Sequence, residues 1–176
     1  MPLFDASRLA KLPGAALSVA GYRNQASGFD ARSGDGARRF GGRFNPPHSF
    51  PVIYLCTSRP CVVAELTRQA QRQGLSVHDL LPRELWQITV ELTKVLDLTH
   101  GDTLEALEVD PTDLIRDDLH LTREIGEAAH EHRFQAIRSA SATGVDDVVG
   151  IMPENVAGAV LLAELIQEWK TVAELP

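Results

Sequence analysis

Between residues 51 and 74 the chain runs from an apolar stretch, Pro51-Val52-Ile53-Tyr54-Leu55-Cys56, through a turn into a segment with helical spacing. A buried strand followed by a helix commits the chain to a sheet with helices packed on it. Ser58 offers a side-chain oxygen to the free amides of a first helical turn, and Pro60 suits that turn because it has no N–H to satisfy. The helix is expected over residues 62–73, closed by Gly74. Residues 85–92, Leu-Trp-Gln-Ile-Thr-Val-Glu-Leu, alternate at period two as a half-buried strand does, and residues 95–98 are expected to extend the same sheet. Further strands are expected over residues 16–23 and 134–138, with a helix over residues 121–133. Residues 24–49 read as a long polar, Gly-rich loop, and a polar segment rich in Asp and Thr runs to about residue 119. Residues 160–169 are ambiguous: local propensity favours a helix, while the run from Val160 to Leu165 fits a buried strand equally well.

Within the long loop, residues 37–47 bring together Arg38, Arg39 and Arg43, the pair Gly41-Gly42, Phe40 and Phe44, and Pro46-Pro47. Glycine lets the backbone approach a ligand closely, and a guanidinium matches phosphate oxygens two at a time. The block reads as a loop for a phosphorylated small molecule. A basic turn whose arginines meet only surface carboxylates is the alternative.

The 176 residues suit one domain over residues 1–176, and 44% hydrophobic with 23% charged residues is a globular composition. A net charge of −7 opposes general attraction to nucleic acid. The positive charge is local, between Arg23 and Arg43, which favours a compact anion over a polymer. No apolar run is long enough to cross a membrane, and the N-terminus lacks the pattern of a signal peptide, so a cytoplasmic protein is expected. Cys56 and Cys61 lie in apolar sequence and are expected as buried free thiols.

Several chemistries find no support. His130 and His132 are two apart, not the four a helical zinc pair needs, so no metal is expected. Arg39 stands where a dinucleotide fingerprint beginning at Gly34 would place its third glycine, and no Walker lysine or Gly-x-Ser-x-Gly elbow occurs. What remains is a spaced set: Arg23, Arg43, Tyr54, Glu65 and Ser139. Glu65 is its most telling member, a carboxylate among Cys61, Val62, Val63, Ala64 and Leu66 that needs cationic or hydrogen-bonding partners. Its bland reading is a helix carboxylate paired along the helix with Arg68 or Gln69.

On these residues the chain resembles the RES-domain family, named for an arginine, a glutamate and a serine. The resemblance runs through Tyr22-Arg23, the Gly-Arg block at residues 36–47, residues 52–55 and Glu65, with residues 95–99 as a weaker echo. Asn24 stands where some members carry a second tyrosine. The family implies an α+β fold of the ADP-ribosyltransferase-like type, a central split mixed β-sheet flanked by helices, and under it residues 160–169 become a strand. It also implies a toxin of a type II toxin–antitoxin pair, blocked by an Xre-like antitoxin. Family activities consume NAD as substrate, with no further cofactor, by phosphorolysis, by hydrolysis or by ADP-ribosyl transfer to protein.

Carried onto this sequence, the resemblance puts Arg23 and Arg43 in the NAD pocket and Tyr54 and Glu65 beside the nicotinamide riboside. Gly42, Asn45 and Ser139 complete the NAD- and phosphate-binding set, with Ser141 a rival to Ser139. Cleaving the nicotinamide–ribose bond builds positive charge on the sugar, which a carboxylate stabilises. Three arginines in the loop exceed what one pyrophosphate needs, so inorganic phosphate is favoured as acceptor. A non-catalytic module that binds a nucleotide or the antitoxin is the reading from another class.

Overall fold

The computed structural model describes residues 1–156 and 160–176. In chain order its elements are α1 (Ala6–Leu9), β1 (Ala15–Gln25), α2 (Asp35–Phe40), β2 (Ile53–Cys56), α3 (Arg59–Arg72), α4 (Val77–Leu80), β3 (Arg83–Asp97), α5 (Gly101–Leu107), α6 (His120–Glu131), β4 (Ala136–Ala140), β5 (Asp147–Ile151) and β6 (Leu162–Trp169). This is a mixed α+β architecture around one central sheet.

The split in the sheet comes from the length of β3. Its fifteen residues, about 50 Å of extended chain, are enough to serve two groups of partners. From Glu84 to Val95 it runs antiparallel to β1, and from Arg83 to Thr89 its other edge carries β6. Its last residues, Val95 to Asp97, run parallel to β4. The sheet then continues through β5 to β2, and β2 returns to β1 by the single pair Tyr22↔Cys56. That narrow junction leaves an opening between β1 and β2.

Three apolar clusters hold the layers. Leu96, Ile125, Ala129, Phe134 and Met152 pack α6 on one part of the sheet, and Ile53, Leu55, Ile88, Val90 and Val149 fill its interior. Cys61, Val62 and Leu66 of α3 meet Leu85 and Trp169 in the third. Trp169 is fully buried and pins the end of β6 beneath α3.

Helix α3 forms as its caps require. Oγ of Ser58 accepts from the Cys61 amide at 3.2 Å, Pro60 sits in the first turn, and Gly74 takes φ +67° just past the end.

The structure corrects one sequence expectation, adds elements to a second segment and resolves a third that stood open. The span 24–49 is not all loop: residues 35–40 form α2, with Gly41 at φ +76° closing it through a 2.7 Å bond from its amide to the Ala37 carbonyl. The polar segment before residue 119 contains α5 and a 3-10 turn at Pro111–Ile115. The helix that propensity favours at residues 160–169 is instead β6, because pairing with β3 satisfies its backbone and Trp169 reaches the core. The strand implied by family resemblance is the observed one.

Candidate active site

The opening between β1 and β2 is the floor of a cleft of about 420 Å³, walled by α3, the Gly-Arg block and the start of α6. Its lining contains five arginines, Arg23, Arg43, Arg68, Arg72 and Arg123, against one carboxylate, Glu65. In a chain of net charge −7 this is a concentrated field for an anion. A wider depression of about 860 Å³ lies at the N-terminal segment, but its two arginines already pair, Arg8 with Glu108 at 2.7 Å and Arg116 with Asp113 at 3.0 Å.

Arg23 leaves β1 half-buried, and its Nη1 donates to the carbonyls of Ala31 and Ser33 at 3.0 and 3.2 Å. Those bonds fix the guanidinium, while its Nε is buried with no partner. Burial, then the nearby Arg83 charge, pulls its pKa below the usual arginine value. Ser139 in β4 is 1% exposed, lines the same cleft, and its Oγ is also unpartnered. The residues that carry two of the three buried unpartnered side-chain polar atoms among the described residues thus line one cavity. Buried polar groups are ordinarily satisfied, so a pair left open at one place marks where a polar ligand fits.

Arg43 is anchored as firmly. Its Nη1 donates at 2.9 Å to the carbonyls of both Leu114 and Arg116, tying the block to the segment before α6. Burial, then the nearby Arg68 charge, lowers its pKa, while Glu65 works the other way. The block is also held by Arg123 of α6, whose Nε donates to the Gly42 carbonyl at 3.1 Å. Beneath it Gly126 lies so close to Phe44 that an added Cβ would stand 1.6 Å from the Phe44 carbonyl oxygen. Only glycine permits that approach of α6 to the loop backbone.

Tyr54 is locked by its hydroxyl. It donates to Asn45 Oδ1 at 2.7 Å and accepts from the Phe44 amide at 2.9 Å, and burial raises the phenol pKa well beyond its usual value. Both bonds hold the hydroxyl in place and fix the ring in the wall of the cleft. A Cβ on Gly42 would strike that ring at 2.5 Å.

Asn45 does not line the cleft. It is fully buried, and its Nδ2 donates to the carbonyls of Ala37 and Phe50 at 2.7 and 3.3 Å. The structure places it behind Tyr54.

Glu65 points from α3 into the cleft, and its Oε1 accepts from Ser141 Oγ at 2.7 Å. The helix pairing of the bland reading is not made with Arg68, which turns to the Ala142 carbonyl at 2.9 Å and to Asp117. The two candidate serines divide: Ser139 lines the cleft and its hydroxyl has no partner, whereas Ser141 bonds the carboxylate.

Arg38 and Arg39 are corrected outright. They project from α2 and pair with Asp35 at 2.9 and 3.5 Å, exposed to solvent, as the surface-turn alternative has it. Only Arg43 of the loop's three arginines lines the cleft. The surplus cations are instead Arg68, Arg72 and Arg123, which sequence reading missed. A signal existed for two of them: Glu65, Arg68 and Arg72 recur at three- and four-residue steps along one helix face.

Other sequence candidates stay ordinary. His130 stacks on Phe50 at 4.1 Å and lies 3.1 Å from Glu154, and among the described residues no cluster of His, Cys, Asp and Glu is placed to hold a metal. Cys56 and Cys61 are buried free thiols, and the hydrogen bond that the Cys56 thiol donates to Cys61, with burial, holds Cys56 well above its usual range. Asn24 lines the cleft and accepts from Arg83 Nε at 2.8 Å. Among the described residues no helix is long and apolar enough to cross a membrane.

Comparison with known proteins matches residues 18–172 to the RES domain. The chain is 38% identical over 130 residues to the NAD(+) phosphorylase MbcT of Mycobacterium bovis and equally to that of Mycobacterium tuberculosis, covering 73% of this chain and 70% of each relative. The crystal structure of the M. tuberculosis MbcT–MbcA toxin–antitoxin complex aligns with a TM-score of 0.76 and 31% identity, over 92% of this chain and 91% of that one.

Proposed function

The chain belongs to the RES domain family, and we propose that it is the toxin of a toxin–antitoxin pair that degrades NAD by phosphorolysis, releasing nicotinamide and ADP-ribose-1″-phosphate. The observation that carries this reading is the pairing of open polar atoms, Arg23 Nε and Ser139 Oγ, with Glu65 in one arginine-lined cleft. Similarity to the proteins named NAD(+) phosphorylase supports it.

Each group has a task in that reaction. Arg23 and Arg43 are held by backbone carbonyls, so they present fixed charge to the pyrophosphate without reorganising when it arrives. The Tyr54 ring offers a flat apolar face for nicotinamide. As the C1″–N bond lengthens, positive charge grows on the ribose, and the Glu65 carboxylate stabilises it. Ser139 hydrogen-bonds the ligand, Gly42 keeps its edge clear, and Asn45 acts on Tyr54. NAD is the substrate and no further cofactor is needed.

The partner is an antitoxin, which we place in the Xre-like class, and the site of action is the cytoplasm. Expression of the chain alone should arrest growth and empty the cellular NAD pool, and co-expression of the antitoxin should relieve both. Normal growth and NAD at verified soluble expression would leave a non-catalytic binding module as the better reading.

A further inference from the structure

We propose that Arg68 and Arg72 form the subsite for the acceptor phosphate and that the Asp117 carboxylate occupies it in the resting protein, an inference resting on the phosphorolysis reading. The two arginines follow Glu65 on one face of α3, so the fork stands one to two turns from the carboxylate that faces the ribose. Nη2 of Arg68 and Nη2 of Arg72 both donate to a single oxygen, Asp117 Oδ1, at 2.6 and 2.8 Å. Arg68 is oriented by its separate bond to the Ala142 carbonyl. The Asp117 side chain is 79% exposed. An exposed carboxylate of that kind is weakly held and readily exchanged for a better anion.

There is room for that anion. A side cavity of about 320 Å³ adjoins the main cleft, and Asn24, Glu65, Arg68 and Arg72 line both. Two guanidinium groups converging on one oxygen suit a phosphate dianion better than a carboxylate, because phosphate offers more oxygens and more charge. The pyrophosphate has its own arginines on β1 and the Gly-Arg block, which leaves the α3 fork for a second anion. In the reaction a phosphate oxygen forms a bond to C1″ while the C1″–N bond breaks. Its electron pair returns to the pyridine ring, and nicotinamide leaves neutral.

The test varies NAD and inorganic phosphate independently in wild type, Arg72→Gln and Asp117→Asn, beside calorimetric titration of inorganic phosphate into each protein without NAD. Arg72→Gln should raise the phosphate KM and weaken phosphate binding by about tenfold or more, the loss of a charge-assisted bond, while the NAD KM changes little. Asp117→Asn should move phosphate affinity the other way, since the competing charge is gone. A raised NAD KM with an unmoved phosphate KM would overturn the subsite and give the fork to the dinucleotide. Production of ADP-ribose-1″-phosphate with phosphate KM and binding unmoved in both variants would overturn the subsite while leaving the reaction intact. Phosphate bound through the fork by a protein that does not consume NAD would support the anion site and sink the phosphorolysis reading.

Discussion

Ser141 donates its hydroxyl hydrogen to Oε1 of Glu65 over 2.7 Å, so the carboxylate in the cleft is held from β4's side of the sheet as well as by its own helix. A glutamine keeps an acceptor oxygen for that bond but carries no charge. Glu65→Gln should therefore change stability by no more than about 1 kcal/mol and reduce NAD turnover by about a hundredfold or more. Turnover and a melting curve on one preparation check this. A fully active variant would remove Glu65 from the chemistry.

Tyr54→Phe separates ring from hydroxyl. The phenylalanine retains the flat face but leaves the Phe44 amide and Asn45 Oδ1 without their partner, at a cost of about 1–3 kcal/mol. Saturating turnover should be largely kept, with a raised NAD KM as the Gly-Arg block loosens. Steady-state kinetics beside thermal unfolding read both effects, and a collapse of saturating turnover in folded protein would mean the hydroxyl takes part in the reaction.

Arg43→Lys tests two roles at once. The family resemblance gives Arg43 a part in ligand binding, and its bonds to the Leu114 and Arg116 carbonyls make it a structural tie as well. An ammonium keeps the charge and loses the planar fork, so a loss of about 1–3 kcal/mol in stability is expected together with weaker NAD binding. Chemical denaturation and a binding titration would show them, and unchanged affinity would reduce Arg43 to its structural part.

Local pattern was enough for most of the framework. Ser58, Pro60 and Gly74 announced α3, and the alternation through Ile88, Val90 and Leu92 announced β3. Residues 95–98 read as extending the same sheet, but that they join 85–92 in one strand serving different neighbours at its two ends is set by tertiary pairing. β6 has exposed Leu162 and Leu165 on an edge strand, so its sequence carries little of the burial that distinguishes strand from helix. In the site, Arg23, Arg43, Tyr54, Glu65 and Ser139 were identified as a set and line one cleft. Arg38 and Arg39 misled because adjacency in sequence hid a helix that turns them toward Asp35. Arg123 comes from α6, far along the chain, and nothing local marks it.

Two glycine substitutions should part sharply. Gly126→Ala places a methyl against the Phe44 backbone, which cannot move aside without displacing the Gly-Arg block, and should cost about 3 kcal/mol and most NAD turnover. Gly36→Ala in α2 meets nothing within 4 Å and should stabilise by about 0.5–1 kcal/mol through helix propensity. Thermal unfolding of both variants decides, and equal tolerance would mean α6 does not seat the loop.

The most direct measurement is product identity after the purified protein meets NAD with and without inorganic phosphate, the products being separated and weighed by mass spectrometry. Phosphate-dependent formation of ADP-ribose-1″-phosphate and nicotinamide in equal amounts is the expected result. Untouched NAD, or ADP-ribose formed at the same rate without phosphate, would contradict phosphorolysis.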